Sequence, residues 1–120
     1  MTNQLLNPTE IRELAAKLGL KPTKKLGQNF VIDQNTVEKI VRTSNVSKDS
    51  IVLEVGPGLG SLTLGLMATG AKVIAVEIDE RLAQLLPNTA KAKGFGESQL
   101  IVINKDALEI SKSDVNNPDV

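Results

Sequence analysis

The sequence predicts an α/β fold in which two helices precede a doubly wound parallel sheet. Three apolar runs, at residues 51–56, 71–79 and 100–104, alternate with helical patterns and glycine-containing turns. Because parallel neighbours need a crossover connection, this alternation favours a βαβαβ unit over antiparallel hairpins. We expect the leading helices at about 8–44 and the βαβαβ unit at about 50–110.

The first fifty residues predict the two leading helices. Asn7 and Glu10 fit a capping box around Pro8, and Gly19 is well suited to end the first helix. We expect Asp33 to begin the second helix. The apolar residues on its expected buried face are Val37, Ile40 and Val41.

The remaining residues predict the strands and helices of the sheet. The first two runs are apolar on both faces, which is typical of buried parallel strands. Gly60 and Gly70 bracket a short helix, and Asp79 is placed to cap the next one. Pro87 is expected to kink that helix or to mark a fresh start, because proline removes a hydrogen bond inside a helix. A turn or a single helical turn is expected after the third strand.

The composition excludes several kinds of chemistry. The 120 residues include no cysteine and no histidine, which excludes disulfides, thiolate nucleophiles, Ser–His pairs and Cys/His zinc sites. There is no long apolar run and no signal-peptide pattern, so we expect a cytoplasmic protein with no membrane segment and no bound metal. The first fifty residues hold eight Lys and Arg against five Asp and Glu, which fits weak nucleic-acid binding or ordinary solvated charge.

A glycine-rich turn after the first predicted strand carries the clearest functional signal. Residues 54–60 read Glu-Val-Gly-Pro-Gly-Leu-Gly, at the strand end where open α/β sheets bind ligands. A dinucleotide fingerprint would need a third glycine where Ser61 stands. A phosphate-binding P-loop would need a lysine directly after the glycines, and none stands there. The pattern is therefore E-x-G-x-G-x-G.

Two acidic residues follow the next two predicted strands. Glu77 lies at the end of the second strand, where a carboxylate can accept hydrogen bonds from both hydroxyls of a ribose. Asp106 lies just past the third strand and can accept a hydrogen bond from an adenine amino group. Together with the glycine loop, these positions predict a nucleoside site across three strand ends. The alternative is a structural turn beside unrelated surface acids.

These motifs resemble those of a known enzyme family. Residues 54–60 and the segment V-E-I-D at 76–79 look like the first two motifs of class I S-adenosylmethionine-dependent methyltransferases, which have a Rossmann-like fold. The segment K-K-L-G-Q-N-F at 24–30, followed by V-I-D, resembles the cofactor-binding motif of KsgA/RsmA-type ribosomal RNA adenine dimethyltransferases. Members of that family dimethylate N6 of two adjacent adenines in small-subunit rRNA. The resemblance extends from about residue 10 to about residue 110.

The resemblance implies S-adenosyl-L-methionine as the cofactor and assigns roles to five residues. Asn29 and Val31 are implied to close over the methionine end, which Gly56 approaches. Glu77 is implied to take the ribose hydroxyls, and Asp106 to recognise the adenine. The resemblance thus implies cofactor contacts between residues 29 and 106.

The resemblance also implies contacts around this site. Gly58 belongs to the cofactor-binding glycine loop, and Glu54 is implied to neutralise the methionine ammonium, directly or through water. Phe30 either shapes the pocket wall or packs in the core. Lys24 and Lys25 are implied to lie beside the mouth, where they can contact phosphates of small-subunit rRNA or of the pre-ribosomal small subunit.

One motif of the family is absent from this sequence. The family carries N-L-P-Y after its fourth strand, where the segment holds the target amine and stacks on the base, and no such segment occurs here. We therefore expect residues 1–120 to be the N-terminal part of a cofactor-binding domain, without the rest of the catalytic domain and the C-terminal domain. No catalytic residue is assigned, and no methyl transfer by this chain alone is expected. The first strand should then be an exposed edge that favours self-association.

Three alternative functions can be compared with the sequence. An Erm-type large-subunit rRNA adenine methyltransferase shares the Q-N-F segment. A non-enzymatic rRNA-binding or assembly module fits the basic front of the chain, although two aromatic residues offer no platform for base stacking. A nicotinamide-dependent Rossmann protein fits neither the glycine spacing nor the Q-N-F segment.

Overall fold

Four helices and three strands make up the regular part of residues 4–19 and 33–110, which the computed structural model describes. The helices are α1 (Pro8–Lys17), α2 (Gln34–Ser44), α3 (Ser61–Ala68) and α4 (Glu80–Ala92), and the strands are β1 (Ile51–Val55), β2 (Lys72–Val76) and β3 (Leu100–Ile103). Short 3-10 turns cover Glu97–Gln99 and Ala107–Glu109. None of the helices in these two ranges is long and apolar enough to cross a membrane.

The three strands form one parallel sheet in the order β1-β2-β3. Val55 of β1 pairs with Val76 of β2, which pairs in turn with Ile103 of β3. The carboxyl ends of the three strands therefore lie level along one edge of the sheet. The α/β fold, the parallel sheet and the two leading helices predicted from the sequence are confirmed.

Each strand is shorter than the sequence predicts. Gly56, residues 77–79 and Asn104 lie in the turns beyond the strands. Gly56 leaves β1 with a φ of 70°, a left-handed conformation that cannot continue a strand. The shorter strands place the polar residues of this edge at the start of loops, where they are free to face a ligand.

Burial along the sheet is uneven. Strand β2 is buried except for half-buried Lys72. In β1, Val52 is buried, but Ile51 and Leu53 are half-buried and Val55 is 62% exposed. Within the described chain, β1 is therefore the exposed edge that the sequence analysis expected, and it is not buried on both faces as its apolar run alone suggested. The cause is its position, because β1 pairs with β2 alone among the described strands and so lies at an edge.

Both leading helices begin as the sequence predicts. The Glu10 N–H donates to Asn7 Oδ1 at 2.8 Å, and the Asn7 N–H donates to Glu10 Oε1 at 3.1 Å, which completes the capping box. The Thr36 N–H donates to Asp33 Oδ1 at 2.8 Å and caps α2. Local sequence signals thus set the first residue of each helix.

The buried face of α2 is narrower than the sequence predicts. Val37 and Val41 are buried, whereas Ile40 is 39% exposed, so the prediction for Ile40 is wrong. With 3.6 residues per turn, Ile40 lies roughly 60° around the helix from Val37, on the side away from Val41. Helix α2 packs on α3 at Gly65, where a Cβ would come within 2.4 Å of Val37 Cγ1. The missing side chain of Gly65 therefore sets how closely the two helices approach.

Helix α4 continues through Pro87 without a break. The alternative prediction that a new helix begins at Pro87 is therefore wrong. Leu86 before it and Ala90 after it are both buried in the core, so packing on both sides outweighs the hydrogen bond that proline removes. Asp79 caps the helix as predicted, with Oδ1 accepting from the Arg81 N–H at 2.9 Å.

Two cationic residues hold α1 against α4. Lys93 Nζ lies 2.7 Å from Glu10 Oε2, and only 14% of the Lys93 side chain is exposed. The hydrogen bond from Lys93 lowers the pKa of Glu10. At the other end of α1, Arg81 Nη1 donates to Leu18 O at 3.0 Å. These contacts hold both ends of α1 against the two ends of α4. No local sequence signal predicted them.

Candidate functional site

The ends of the three strands place the glycine loop and the acidic residues on one edge of the sheet. The Gly56 N–H donates to Val76 O at 2.9 Å, and the Glu77 N–H donates to Ile103 O at 3.0 Å. Each of these two residues therefore lies directly beside the end of the next strand. Asp106 follows β3 after two intervening residues. The structure thus brings the described members of the predicted site to one edge.

The glycine loop between β1 and α3 uses backbone conformations that glycine adopts without strain. Gly56, Gly58 and Gly60 have φ values of 70°, 59° and 100°. A Cβ on Gly60 would lie 2.5 Å from Leu86 Cδ1, so this position also requires the absence of a side chain. Apart from Gly56 and its two chain neighbours, no heavy atom of the described residues lies within 4 Å of a Cβ built on Gly56. The loop is closed against α4 at Gly60 and open to a ligand at Gly56.

The Glu77 carboxylate is buried within this edge, and the residue is only 5% exposed. Its Oε1 accepts from the Gly58 N–H at 3.2 Å, and its Oε2 accepts from the Asp79 N–H at 3.0 Å. A carboxylate has about four acceptor positions, so these two bonds leave capacity for further donors such as ligand hydroxyls. Glu77 therefore ties the glycine loop to the turn after β2 and can still bind a ligand.

Glu54 of β1 is a second acid next to the glycine loop. Its Oε1 accepts a hydrogen bond from Thr63 Oγ1 of α3. Burial raises the pKa of Glu54 to about 7; the Thr63 hydrogen bond opposes the shift, and the charge of Glu77 adds to it. The site therefore contains a carboxyl group whose charge changes near neutral pH.

A buried hydroxyl at the start of α3 has no hydrogen-bond partner within the described part of the chain. Ser61 is 6% exposed, and its Oγ is the atom concerned. A buried hydroxyl without a partner costs about 1–3 kcal/mol. Because Ser61 directly follows Gly60, a polar ligand atom or a water bound at the glycine loop is well placed to provide the partner.

Asp106 is half-buried and begins the 3-10 turn after β3. Its Oδ1 accepts from the Leu108 N–H at 3.0 Å, which is a local capping bond. The capping role explains this bond without any ligand. The carboxylate retains acceptor capacity for an adenine amino group, so capping and adenine recognition are compatible.

Two residues that sequence reasoning did not single out also lie on this edge. Asn104 Nδ2 donates to Glu77 O at 2.8 Å and to Ile78 O at 3.2 Å. Ile78 is 69% exposed although it is a large apolar residue directly after Glu77. The available signal for Asn104 was its position, because an amide immediately after an apolar strand is well placed to bond the neighbouring strand end.

Five residues of the predicted site lie outside the described ranges, and their roles stay predictions. They are Lys24, Lys25, Asn29, Phe30 and Val31. Within residues 4–19 and 33–110, no group of three or more acidic side chains is arranged to hold a metal ion.

Comparison with known proteins finds one family and close relatives. The profile of a family described as ribosomal RNA adenine dimethylase matches residues 19–117. The chain is 58% identical over 111 residues to ribosomal RNA small subunit methyltransferase A of Corynebacterium jeikeium, covering 92% of this chain and 35% of that protein. It is 52% identical over 119 residues to the protein of the same name from Mycobacterium avium, covering 98% of this chain and 37% of that protein. The chain therefore spans little more than a third of the length of these relatives.

Solved structures share the fold of the described chain. The 23S rRNA methyltransferase ErmE superposes with a TM-score of 0.58 at 33% identity, covering 68% of this chain and 32% of that one. A dimethyladenosine transferase from Plasmodium falciparum gives a TM-score of 0.60 at 29% identity, covering 66% of this chain and 28% of that one. An RNA methyltransferase from Salinibacter ruber in complex with S-adenosyl-L-homocysteine superposes with a TM-score of 0.64 at 21% identity, covering 71% of this chain and 56% of that one. At this identity the likeness shows the fold alone.

Proposed function

The chain belongs to the ribosomal RNA adenine dimethylase family, and we propose that it forms the S-adenosyl-L-methionine-binding part of an enzyme that dimethylates N6 of adjacent adenines in small-subunit rRNA. One observation carries the proposal: Gly56, Glu77 and Asp106 lie at the ends of three successive parallel strands. Open α/β sheets bind nucleotides at this edge. The enzyme is then a longer cytoplasmic protein, in which other residues supply the rest of the catalytic domain and a C-terminal domain.

Glu77 is the residue that we assign to the ribose of the cofactor. The Gly58 and Asp79 N–H groups hold its carboxylate, so its direction is fixed before a ligand binds. The two ribose hydroxyls donate to the remaining acceptor positions, and bonds to a charged acceptor are stronger than those between neutral groups. Because the acceptor is already ordered, less conformational entropy is lost on binding.

Ile78 and Asp106 are the residues that we assign to the adenine of the cofactor. Ile78 is exposed beside the ribose acceptor and offers an apolar surface to the base. Asp106 accepts from the adenine amino group while its Oδ1 continues to cap the following turn. An apolar wall with one well-placed polar group is the usual composition of a small-molecule site.

The groups around the glycine loop fit the charged methionine end of the cofactor. Gly56 offers open space beside its backbone, and the buried hydroxyl of Ser61 can bond a polar ligand atom or a bridging water. Glu54 supplies negative charge to the ammonium group once its own proton has left. We assign Asn29 and Val31 to this end from the family resemblance. When bound, the cofactor supplies an electrophilic methyl group on its sulfonium.

Lys24 and Lys25 are assigned to the phosphates of small-subunit rRNA, in the pre-ribosomal small subunit. Phosphate contacts fix the register of the RNA, and the target adenine must leave its stack to reach the methyl group. No segment of this chain matches the N-L-P-Y by which the family holds the target amine. We therefore assign no catalytic residue here and expect no methyl transfer by this chain alone.

Isothermal titration calorimetry of the chain with three ligands tests this function. We expect S-adenosylhomocysteine to bind, NAD not to bind, and a small-subunit rRNA helix to bind weakly and in a salt-dependent manner. Glu97→Ala, which removes an exposed acid elsewhere in the sequence, serves as a control that keeps cofactor binding. Binding of NAD without S-adenosylhomocysteine would contradict the proposal, and binding of rRNA alone would favour a non-enzymatic module.

An Erm-type large-subunit rRNA adenine methyltransferase is the second candidate. Its support is the structural likeness to the 23S rRNA methyltransferase ErmE. The relatives that carry the small-subunit name are more similar in sequence, which supports small-subunit rRNA as the preferred substrate in our proposal. Methylation assays of the longer protein on purified small-subunit and large-subunit rRNA distinguish the two substrates.

Self-association through β1 is a further part of the proposal. Strand β1 pairs with β2 alone among the described strands, and its Val55 is 62% exposed. An apolar edge strand favours pairing with a second copy, and a charged residue on the edge opposes it. Light scattering should show a concentration-dependent dimer that Val55→Lys weakens and that Leu108→Lys, at another exposed apolar residue, leaves unchanged. A monomer at all concentrations would contradict this part.

A further inference from the structure

Asn104 joins the end of β3 to the turn that follows β2. It is the first residue after Ile103, and its side-chain amide donates to the backbone carbonyls of both Glu77 and Ile78. The bond to Glu77 is partly buried. Asn104 is therefore a side chain of one strand end that bonds the backbone of its neighbour.

The two bonds require the particular chemistry of asparagine. One amide nitrogen carries two hydrogens, so Nδ2 can serve two successive carbonyls at 2.8 and 3.2 Å. An aspartate in the same place has the same shape but no donor, and its negative charge would face two carbonyl oxygens. A serine would offer a single donor on a shorter side chain.

The two carbonyls belong to the residues that contact the nucleoside in our proposal. Fixing the peptide groups after Glu77 and Ile78 restricts the backbone torsions that direct both side chains. The Glu77 carboxylate continues the connection, because it accepts from Gly58 in the glycine loop and from Asp79 in its own turn. A continuous set of hydrogen bonds therefore runs from β3 through β2 to the loop after β1.

We propose that Asn104 is a positioning residue for the adenosine end of the cofactor, which holds Glu77 and Ile78 in the orientation that ribose and base require. Asn104 contacts neither group itself and acts through the backbone of the β2–α4 turn. It also fixes that turn relative to Asp106, which lies two residues further along the same strand end. The inference rests on the proposed function for its ligand, but its structural step does not depend on a ligand.

The structural step is tested without a ligand by amide hydrogen exchange, measured by NMR. In Asn104→Asp, the Gly58 and Asp79 amides should exchange faster, because the carboxylate that accepts from them is no longer held in place. The Leu64 amide, which donates to Gly60 O at the start of α3, should keep its rate. Asn88→Asp adds the same charge at an exposed asparagine of α4 and is the matched control.

The functional step is tested by calorimetry with S-adenosylhomocysteine. Asn104→Asp should weaken binding roughly 3- to 10-fold, the effect of losing about one hydrogen bond. In a Glu77→Ala background the same substitution should have a clearly smaller effect, because only the contribution through Ile78 remains once the Glu77 carboxylate is removed. Asn104→Ser, which keeps one donor, should give an intermediate loss and serves if Asn104→Asp does not fold.

Three results would overturn the inference. Unchanged exchange at Gly58 and Asp79 would show that Asn104 does not hold the carboxylate. A lower melting temperature with unchanged affinity would assign Asn104 to stability alone. Equal losses with and without the Glu77 carboxylate would show that it acts by another route. If the unsubstituted chain does not bind S-adenosylhomocysteine, the proposed function fails for this chain, and the exchange measurement still decides whether Asn104 positions Glu77.

Discussion

The Gly58 N–H donates to Glu77 Oε1 at 3.2 Å, across the ends of two neighbouring strands. The glycine loop and the acid after the second strand, which are nineteen residues apart in sequence, are therefore one hydrogen-bonded unit. A ligand that binds Glu77 meets an acceptor whose direction the glycine loop already sets. A substitution in the glycine loop should consequently alter the position of the Glu77 carboxylate, and a substitution of Glu77 should alter the loop.

Removing the Glu77 carboxylate should weaken cofactor binding strongly. Glu77→Ala deletes the acceptor assigned to the ribose and leaves the Gly58 and Asp79 N–H groups without their partner. The loss of a hydrogen bond to a charged group corresponds to about 1.5–3 kcal/mol of binding free energy. Calorimetry with S-adenosylhomocysteine measures it, with Glu97→Ala as the control. Unchanged affinity in Glu77→Ala would remove this residue from the ribose role.

Gly60→Ala should destabilise the fold. Its φ of 100° is strained for any residue with a side chain, and the added Cβ would lie 2.5 Å from Leu86 Cδ1. We expect a loss of roughly 1–3 kcal/mol in the free energy of unfolding, measured by urea denaturation. Gly96→Ala is the matched control, because its φ of −74° is ordinary and, apart from its chain neighbours, no heavy atom of the described chain would lie within 4 Å of its Cβ. Equal effects of the two substitutions would contradict the role of Gly60.

Stability should fall as the pH rises from about 4.5 to about 7 because of Glu54. Its pKa is raised from 4.5 to about 7 in the folded protein, so the folded state holds a proton that the unfolded chain has already released. The stabilisation is fully present below the unfolded pKa and is lost as the pH approaches the folded one. Between these two pKa values, the deprotonation of Glu54 alone should lower the free energy of unfolding by up to about 3 kcal/mol.

Glu54→Gln isolates this contribution. The amide oxygen can still accept from Thr63 Oγ1, but the side chain no longer titrates. The variant should match the unsubstituted chain near pH 5 and unfold at a higher temperature near pH 8. Glu13→Gln, at an exposed acid of α1, should leave the pH profile unchanged. The same pH dependence in Glu54→Gln as in the unsubstituted chain would show that another group titrates.

Lys24 and Lys25 should act on RNA and not on the cofactor. Replacing both by alanine in the longer protein should lower rRNA affinity and reduce the slope of log K against log salt by about two, since each phosphate contact contributes about 0.9. Affinity for S-adenosylhomocysteine should stay unchanged. Replacing the exposed Lys39 and Lys91 instead removes the same charge from α2 and α4. Equal slopes in all three proteins would mean that Lys24 and Lys25 are ordinary solvated charge.

The features predicted correctly from sequence depend on a few neighbouring residues. The capping box of Asn7 and Glu10 and the caps of Asp33 and Asp79 are local signals, and all three are confirmed. The positive φ values of the glycine loop follow from its composition in the same way. The alternation of apolar runs and helical patterns was enough to predict the parallel sheet.

The features that sequence reasoning missed depend on contacts between distant residues. Ile40 was assigned to the core from periodicity, but the width of the buried face is set by how closely α2 approaches Gly65 of α3. Pro87 stays inside α4 because the residues on both sides of it pack in the core. Asn104 bonds carbonyls 26 and 27 residues earlier in the chain, a relationship that only the pairing of β2 with β3 creates.

In our proposal, the glycine loop, Glu77 and Asp106 form one site for S-adenosyl-L-methionine. The most direct measurement is an NMR titration of the chain with S-adenosylhomocysteine, following the backbone amides. We expect shifts concentrated at Gly56, Gly58, Glu77 and Asp106, with little change at Lys93 at the opposite end of α4. No shifts at saturating ligand, or shifts confined to the α1–α4 contact around Lys93, would contradict it.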